Sequence, residues 1–286
     1  MTVLEVIQRS SEFLTRKGVE SPRLQVELLL AQVLQLPRMK LYLNFERALT
    51  ERELDELRDL VKRRGDREPL QHILGSTSFC GLEMAVSRDA LIPRPETELL
   101  AERAIEFLST LNTQPSTILD FGTGSGCLAV TIAVKCARAT VHALDISESA
   151  LKLSRQNADR HRVSDKIQFH LGDGFAALPA KAKFDLIVSN PPYIPSAEID
   201  VLQAEVRDHD PRVALDGGAD GLDFYRRLAT EAACWLQPHG RLMVELGDGQ
   251  GTAARGLFTT ADWTVEAVEK DYGGCDRILI ARRWQQ

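Results

Sequence analysis

The sequence lacks the patterns that mark a disulfide framework or a zinc site. Its five cysteines are an odd number, and no two of them have C-x-x-C spacing, which argues against both kinds of site. None of its six histidines lies in an H-E-x-x-H pattern. We therefore expect no bound metal, and the unpaired thiols indicate a reducing compartment such as the cytoplasm.

Long apolar runs are also missing. No 18 consecutive apolar residues occur, so the sequence predicts no membrane-spanning helix. The first 18 residues include acidic and polar side chains where a secretory signal peptide needs an unbroken apolar segment. We therefore expect a cytoplasmic protein that does not bind a membrane.

An excess of basic residues is absent as well. The net charge is −6, and residues 1–80 carry 13 Lys and Arg against 12 Asp and Glu, so the acidic excess lies in the larger remainder. Proteins that bind duplex DNA usually present a basic face. The charge argues against direct DNA binding and favours a protein substrate.

The first quarter of the chain predicts a small helical domain. The 286 residues are enough for two domains, and residues 1–75 show helical periodicity without strand signals. Thr50 and Glu53 form a capping box at the start of one helix. The basic cluster at the end of that helix is interpreted as a solvated last turn that complements the helix dipole; it comprises Lys62, Arg63, Arg64 and Arg67.

The remaining sequence predicts an α/β domain. Residues 76–92 alternate around Gly81, which indicates a β-hairpin that joins the helical bundle to a domain over residues 93–286. From residue 117 onward, apolar strands alternate with helices, as in a Rossmann-like parallel sheet covered on both faces. The last two strands have no helix between them, so we expect one antiparallel strand at the end.

A glycine-rich turn follows the first strand of this domain. We call residues 122–126 the glycine turn; they are Gly122, Thr123, Gly124, Ser125 and Gly126. Glycines at this place permit a tight turn and close approach of a ligand to the backbone. Asp145 ends the second strand, where a carboxylate can accept hydrogen bonds from a ribose, and Asp173 closes the third, where it can meet an adenine amino group. Together these features predict a nucleoside-containing cofactor.

These residues resemble the class I S-adenosylmethionine-dependent methyltransferases over about residues 115–281. The resemblance implies a seven-stranded sheet whose last strand is antiparallel, in agreement with the pattern of strands and helices. It also implies that the glycine turn holds the methionine part of S-adenosylmethionine and that Asp145 holds the ribose.

The strand FDLIVS delivers Asn190, Pro191, Pro192 and Tyr193 to the same predicted edge. The Asn190 side-chain oxygen and the Pro191 carbonyl are acceptors, and two prolines stiffen the loop that carries them. Tyr193 offers a flat face to a planar group. The set therefore predicts a planar target with an –NH₂ group: adenine N6, cytosine N4, or the side-chain amide of Gln or Asn. The alternative interpretation is a proline turn with a packed tyrosine.

Two further stretches of the sequence bear on which of these planar groups is the substrate. Residues 67–100, which contain IPRPETE, and residues 210–228 resemble the protein-(glutamine-N5) methyltransferases that modify peptide-chain release factors. The resemblance spans nearly the whole chain, including the helical N-terminus and the hairpin. It implies that the substrate is the glutamine of the Gly-Gly-Gln loop of class I release factors.

The sequence departs from this family at two places. Gly174 stands where the family often has an aromatic residue, so the adenine contact falls to Phe175 or is lost. Asp210 stands where the family commonly has Glu. Arg94, in IPRPETE, could hold the substrate backbone or the cofactor carboxylate, or form an ion pair with a nearby acid, Glu96 or Glu98.

Three alternatives remain at this stage. The chain could methylate adenine N6 in a nucleic acid, although no dedicated base-recognition domain is visible. A group that methylates a glutamine of a ribosomal protein shares the Asn-Pro-Pro-Tyr motif but typically differs around IPRPETE. A non-enzymatic scaffold is the third possibility, and an intact glycine turn with Asp145 weighs against it.

Overall fold

A computed structural model describes residues 1–111 and 115–284, so residues 112–114 and 285–286 of the expected domain 93–286 lie outside it. The chain divides into two compact units. The first comprises residues 1–76 together with 203–209, and the second comprises 77–202 and 210–286. The sequence did not predict that residues 203–209 belong to the helical unit. Within the described residues, no helix is both long and apolar enough to cross a membrane.

Helices and strands follow the expected order. The helices are α1 (Val3–Arg16), α2 (Pro22–Val33), α3 (Glu51–Gly65), α4 (Leu70–Leu74), α5 (Pro95–Thr110), α6 (Cys127–Lys135), α7 (Glu148–Arg160), α8 (Ala204–Arg207), α9 (Asp223–Glu231) and α10 (Gly251–Thr260). The strands are β1 (Ser76–Phe79), β2 (Leu82–Ala85), β3 (Ser116–Phe121), β4 (Ala139–Asp145), β5 (Ile167–Leu171), β6 (Phe184–Ser189), β7 (Leu236–Glu245), β8 (Trp263–Lys270) and β9 (Asp276–Arg283).

The first unit is a helical bundle built from α1 to α4 and α8. The predicted capping box of Thr50 and Glu53 is present, and Thr2 and Glu5 form a second one at the start of α1. Each box satisfies backbone N–H groups that the first turn of a helix leaves without a partner. The apolar faces of the helices then meet in one core, whose fully buried members include Leu14, Leu30 and Leu57.

The interpretation of the basic cluster as a solvated turn is wrong for Arg64. This side chain is only 5% exposed and donates to Gln25 Oε1 at 2.5 Å and to Glu205 Oε1 at 2.7 Å. Arg67 donates to the other oxygen of Glu205, also at 2.7 Å. Burial raises the pKa of Glu205, but the hydrogen bonds from both arginines outweigh it and leave the pKa lowered. An acid more than 130 positions later in the chain therefore neutralises this part of the cluster.

The second unit contains the predicted seven-stranded sheet. The strand order is β5-β4-β3-β6-β7-β9-β8. Neighbouring strands from β5 to β7 pair in parallel, whereas β9 lies antiparallel between β7 and β8. This confirms the class I methyltransferase fold with an antiparallel last strand. The sheet is covered on both faces by separate apolar clusters.

The expected hairpin consists of β1 and β2, which form a sheet of their own. Its turn residues Cys80 and Gly81 have φ of 50° and 79°, as a two-residue turn of primed type requires. From Thr77 onward the hairpin is grouped with the second unit. The fully buried side chain of Asn157 on α7 bonds both backbone groups of Ala85 on β2.

Two stacked histidines pair across β4 and β5. The His142 Nδ1 and His170 Nε2 atoms are 2.9 Å apart, and the rings stack with centroids 5.0 Å apart. In the neutral pair the N–H of one ring donates to the unprotonated nitrogen of the other ring. Protonation of that nitrogen would set two N–H groups against each other and place a positive charge in a largely buried site. Burial, with a smaller contribution from the charge of His170, lowers the pKa of His142 to about 4. The native state therefore favours neutral histidines.

The histidine pair predicts a pH-dependent loss of stability. Because the folded-state pKa of His142 lies below its usual value, the unfolded chain binds the proton more readily as the pH falls from about 6.5 towards 4. Between pH 7 and 5 the free energy of unfolding should fall by about 2 kcal/mol more in the wild type than in His142→Gln. Urea unfolding at both pH values measures this difference; parallel pH profiles of the two proteins would contradict it.

The Glu205 contacts generate a second stability prediction. Glu205→Ala leaves Arg64 buried without its ionic partner, which should destabilise the helical unit by about 2–4 kcal/mol. The matched control is Asp55→Ala, which removes an exposed ion pair with Arg58 and should cost no more than about 0.5 kcal/mol. Chemical denaturation of both variants tests the contrast, and equal losses would show that Glu205 is not required.

Candidate active site

A cavity in the second unit opens at the carboxyl ends of β3, β4 and β6. Its wall brings together residues predicted from distant parts of the sequence: Gly122, Thr123, Gly124, Ser125, Asp145 and Asn190. Arg94, Asp173, Gly174 and Pro192 also line it. Ligands of open α/β sheets bind at this edge, so the location agrees with the sheet topology.

The glycine turn is held in a conformation that only glycine adopts easily. Gly122, Gly124 and Gly126 have φ of 76°, 55° and 80°. A Cβ on Gly126 would collide with Ser154 on α7, so this glycine allows α6 and α7 to pack closely and does not itself line the cavity. Nothing lies within 4 Å of a Cβ built on Gly122, which leaves space for a ligand at the start of the turn.

A buried acid that was not among the residues predicted from the sequence forms a hydrogen bond with the glycine turn. Asp120, 1% exposed, accepts hydrogen bonds through Oδ2 from the Thr123 hydroxyl at 2.6 Å and the Ala129 N–H at 3.1 Å. Burial raises its pKa to about 7, against the effect of these two hydrogen bonds. An acid inside the apolar run TILDF, directly before the glycines, was the signal that could have revealed it.

Asp145 faces the cavity with part of its hydrogen-bonding capacity unused. Its Oδ2 accepts the Gly124 N–H at 2.8 Å, and its Oδ1 accepts the Ser147 N–H at 2.9 Å. The carboxylate is thereby fixed in position, since both oxygens are held by backbone groups. Each carboxylate oxygen has a further lone pair, so the half-buried group can still accept two hydroxyl hydrogen bonds from a ribose.

Of the three residues expected near adenine, two line the cavity and one does not. Asp173 lines the cavity, but its carboxylate accepts a hydrogen bond from Arg227, whose guanidinium also lies over Gly174. Phe175 is 3% exposed and lies in the core, with ring centroids 4.9 Å from Phe121 and 5.6 Å from Trp235. Phe175 therefore does not line the cavity, and its ring packs the short 3₁₀ turn at residues 174–177, after β5, onto the sheet.

The Asn-Pro-Pro-Tyr residues begin directly after β6. Asn190 is half-buried in the cavity wall, and its Nδ2 donates to Thr97 Oγ1 at 3.0 Å. Pro191 is buried and Pro192 lines the cavity. Tyr193 lies half-buried against the core, its carbonyl accepts a hydrogen bond from Gln250, and its hydroxyl donates to Glu245 Oε1 at 3.4 Å. The Tyr193 ring is thus anchored at both ends of the residue.

A second buried acid lies behind these residues. Glu245, the last residue of β7, is 1% exposed. Burial raises its pKa to about 7, although hydrogen bonding from Thr97 and Tyr193 and the charge of Arg277 act in the opposite direction. Burial also raises the pKa of the Tyr193 hydroxyl. The tyrosine therefore remains protonated and can act as a hydrogen-bond donor.

Arg94 has an ion-pair partner, but it is neither of the two acids considered from the sequence. Its Nη2 lies 2.5 Å from Asp210 Oδ2, and the Asp210 side chain is 1% exposed. Burial raises the pKa of Asp210, against the charge of Arg94. A residue from IPRPETE is thereby joined to the later DPRVALDGG stretch, and Arg94 still lines the cavity.

The sequence did not predict that Thr97 and Glu245 lie at the site, and the reason is identifiable. Thr97 lies in the first turn of α5, where threonine is an ordinary residue, and Glu245 ends a strand whose other positions are apolar. Only an acid at the end of the apolar run RLMVE indicated that a buried carboxyl was present.

Family models match both parts of the chain. The PrmC N-terminal domain matches residues 5–75, and the methyltransferase small domain matches residues 103–209. A solved methyltransferase from Pyrococcus furiosus is 20% identical, with a TM-score of 0.53 over 73% of this chain and 92% of that one. At this identity the likeness supports the fold alone.

Whole-length relatives are much more similar. The release factor glutamine methyltransferase of Geobacter sulfurreducens is 43% identical over 98% of this chain and 96% of its own length. That of Chlorobaculum tepidum is 42% identical over 97% and 96%. The protein is accordingly a methyltransferase with S-adenosylmethionine as its cofactor. The chain belongs to the family of release factor glutamine methyltransferases.

Proposed function

We propose that this protein transfers a methyl group from S-adenosylmethionine to the side-chain amide nitrogen, N5, of the glutamine in the Gly-Gly-Gln loop of class I release factors. The observation that carries the proposal is the position of Asn190. It lies in the same cavity wall as the glycine turn and Asp145, and its NH₂ group is already bonded to Thr97. Its oxygen is therefore left to accept a hydrogen bond from a substrate.

The cavity residues fit the cofactor. Asp145 has two acceptor positions for the ribose hydroxyls, the open side of Gly122 suits the methionine part, and Asp173 would meet the adenine amino group. Asn190 completes this set, while Gly126 and Phe175 would act through packing. When bound, S-adenosylmethionine supplies an electrophilic methyl group on a positively charged sulfur.

The protein's own contribution is to hold and aim the substrate amide. The Asn190 oxygen and the Pro191 carbonyl are two acceptors for the two N–H bonds of a neutral –NH₂ group. Because the lone pair of an amide nitrogen is conjugated, it is a poor nucleophile, and orientation must supply much of the rate. Well-oriented groups gain about 7–11 kcal/mol in favourable cases. The amide nitrogen would bond to the methyl carbon as the bond from that carbon to sulfur breaks with its electron pair left on sulfur, and the nitrogen would then lose one proton.

The substrate assignment rests on the family. Relatives that match nearly the whole chain are named release factor glutamine methyltransferases, and the net charge of −6 suits a protein substrate better than a nucleic acid. We further propose that the helical unit, which the PrmC N-terminal model matches, takes part in recognising the release factor. The reaction would take place in the cytoplasm, where release factors act. Arg94 is the candidate to steady the substrate backbone.

Substrate labelling tests the proposal directly. With radiolabelled S-adenosylmethionine, a class I release factor should become labelled, and its variant with Ala in place of the Gly-Gly-Gln glutamine should not. Duplex DNA, RNA and ribosomal proteins serve as competing substrates in parallel reactions. Equal labelling of both release-factor forms, or label on nucleic acid alone, would overturn the assignment.

Replacement of Asn190 tests the acceptor role. Asn190→Ala removes the side-chain oxygen, so turnover of the release factor should fall by about 10²-fold or more. The affinity for S-adenosylhomocysteine, measured by calorimetry, should fall by no more than about tenfold. Unchanged turnover would contradict the role assigned to Asn190.

Replacement of Asp145 tests the ribose contact. Asp145→Ala should weaken S-adenosylhomocysteine binding by at least about tenfold, because a carboxylate hydrogen bond contributes about 1.5–3 kcal/mol. Asp173→Ala should cost only about threefold, since this carboxylate is already paired with Arg227. The exposed Asp165→Ala is the matched control. Equal affinities for the Asp145 variant and this control would refute the assignment.

A further inference from the structure

The two prolines of the Asn-Pro-Pro-Tyr loop cannot anchor it through backbone donors. Proline has no backbone N–H group, so Pro191 and Pro192 offer only carbonyl oxygens. The first residue of the loop is held by its side chain, since Asn190 Nδ2 donates to Thr97 Oγ1 at 3.0 Å. The carbonyl of the last residue, Tyr193, needs a donor from another part of the chain.

Gln250 supplies that donor. This residue directly precedes α10 and follows Tyr193 by 57 positions in the chain. Its Nε2 donates to the Tyr193 carbonyl at 2.8 Å and lies 3.3 Å from the Gly221 carbonyl, which is a second acceptor. One side chain thus joins the end of the Asn-Pro-Pro-Tyr loop to the segment that leads into α9.

The oxygen of the Gln250 amide is held as well as its nitrogen. Oε1 accepts the Gly247 N–H at 3.1 Å and the Tyr225 hydroxyl at 3.0 Å. A primary amide has two N–H groups and two lone pairs on its oxygen, so each of its four positions has a partner here. Because a backbone N–H only donates and a backbone carbonyl only accepts, these partners allow the amide one orientation.

Two glycines let the backbone approach this amide closely. A Cβ built on Gly221 would lie 2.3 Å from the Tyr193 carbonyl oxygen and 2.7 Å from Gln250 Nε2. A Cβ built on Gly247 would lie 2.5 Å from Gln250 Oε1. Side chains at either glycine would therefore displace Gln250 or Tyr193. The loops after β6, before α9 and after β7 meet at this one side chain.

Fixing both ends of the loop limits where the Pro191 carbonyl can lie. Each proline ring holds φ at about −65°, so few free dihedral angles remain between Asn190 and Tyr193. With these two residues anchored by Thr97 and Gln250, the carbonyl between them is held in place. The rate of methyl transfer depends steeply on geometry, and a displacement of about 1 Å can cost about 10²-fold.

We propose that Gln250 is a positioning residue for methyl transfer. By holding the Tyr193 carbonyl, it sets the course of the Asn-Pro-Pro-Tyr loop and with it the place of the Pro191 carbonyl, one of the two acceptors for the substrate amide. The inference rests on the proposed function, which assigns this loop to the glutamine side chain. Gln250 does not line the cavity, so it acts on the substrate through the loop.

Gln250→Glu tests this role directly. The substitution keeps the shape of the side chain but sets an oxygen against the Tyr193 carbonyl in place of an N–H donor. The kcat for release-factor methylation should fall by about tenfold or more. The KM for the release factor and the calorimetric affinity for S-adenosylhomocysteine should stay within about threefold. The matched control Gln168→Glu makes the same change at an exposed position of β5 and should alter each value by less than about twofold.

Gln250→Met separates the lost hydrogen bonds from the added charge. It removes the amide without placing a carboxylate beside the carbonyl, so kcat should fall by about three- to tenfold, less than in Gln250→Glu. Backbone hydrogen bonds of Ile194 with Leu215 and Gly217 remain in both variants and should keep this region folded. A kcat equal to that of the wild type in Gln250→Met, or a loss confined to KM, would overturn the proposal. Equal loss of S-adenosylhomocysteine affinity and kcat would indicate general disruption and would overturn it as well.

The position of Tyr193 can also be observed without turnover. The chain has four tyrosines, so protein labelled with 3-fluorotyrosine gives few ¹⁹F signals, and Tyr193→Phe identifies that of Tyr193. This signal should shift in both Gln250 variants, whereas that of Tyr272, which is 96% exposed, should not. An unshifted Tyr193 signal in both variants would contradict the proposal. Absence of release-factor methylation by the wild type would instead refute the proposed function, so the two failures are distinguishable.

Discussion

The parallel pairing of β3 with β4 on one side and β6 on the other is the constraint on which the active site depends. Phe121 pairs with Leu144, and Asp120 pairs with Val188, so the three strands end at the same level of the sheet. Each strand is followed by one part of the site: the glycine turn, Asp145 at the end of β4, and Asn190. A shift of register between any two strands would separate these groups, since each residue advances the chain by about 3.3 Å.

Beneath this edge the protein buries two carboxyl groups, Asp120 and Glu245. Burial raises the pKa of each to about 7. Keeping these carboxylates buried and ionised therefore lowers the stability of the folded protein. Each holds a hydroxyl that in turn supports a part of the site: Asp120 binds Thr123 of the glycine turn, and Glu245 binds Tyr193. Buried polar groups of this kind rigidify a site when they are hydrogen-bonded, and they give a single arrangement in place of several.

The helical unit depends on a contact of a similar kind. Its core is apolar and locally built, but Arg64 is buried and needs an acidic partner. That partner, Glu205, comes from a short segment that follows the Asn-Pro-Pro-Tyr loop in the chain. The chain therefore leaves the methyltransferase sheet after β6, contributes residues 203–209 to the helical unit, and returns to line the cavity from Pro211 onward.

The sequence by itself determined the local features of this protein. The capping box at Thr50, the alternation of strands and helices, the glycine turn and the Asn-Pro-Pro-Tyr motif are all set by neighbouring residues, whose spacing directly reflects backbone geometry. The tertiary structure decided the partners of isolated polar residues. Arg94 forms an ion pair with Asp210, and Asp173 forms one with Arg227. Phe175 packs in the core, and Asn190 donates a hydrogen bond to Thr97. These contacts join residues from 54 to 116 positions apart, and such pairings are fixed by the packing of the sheet and its helices, which no local pattern records.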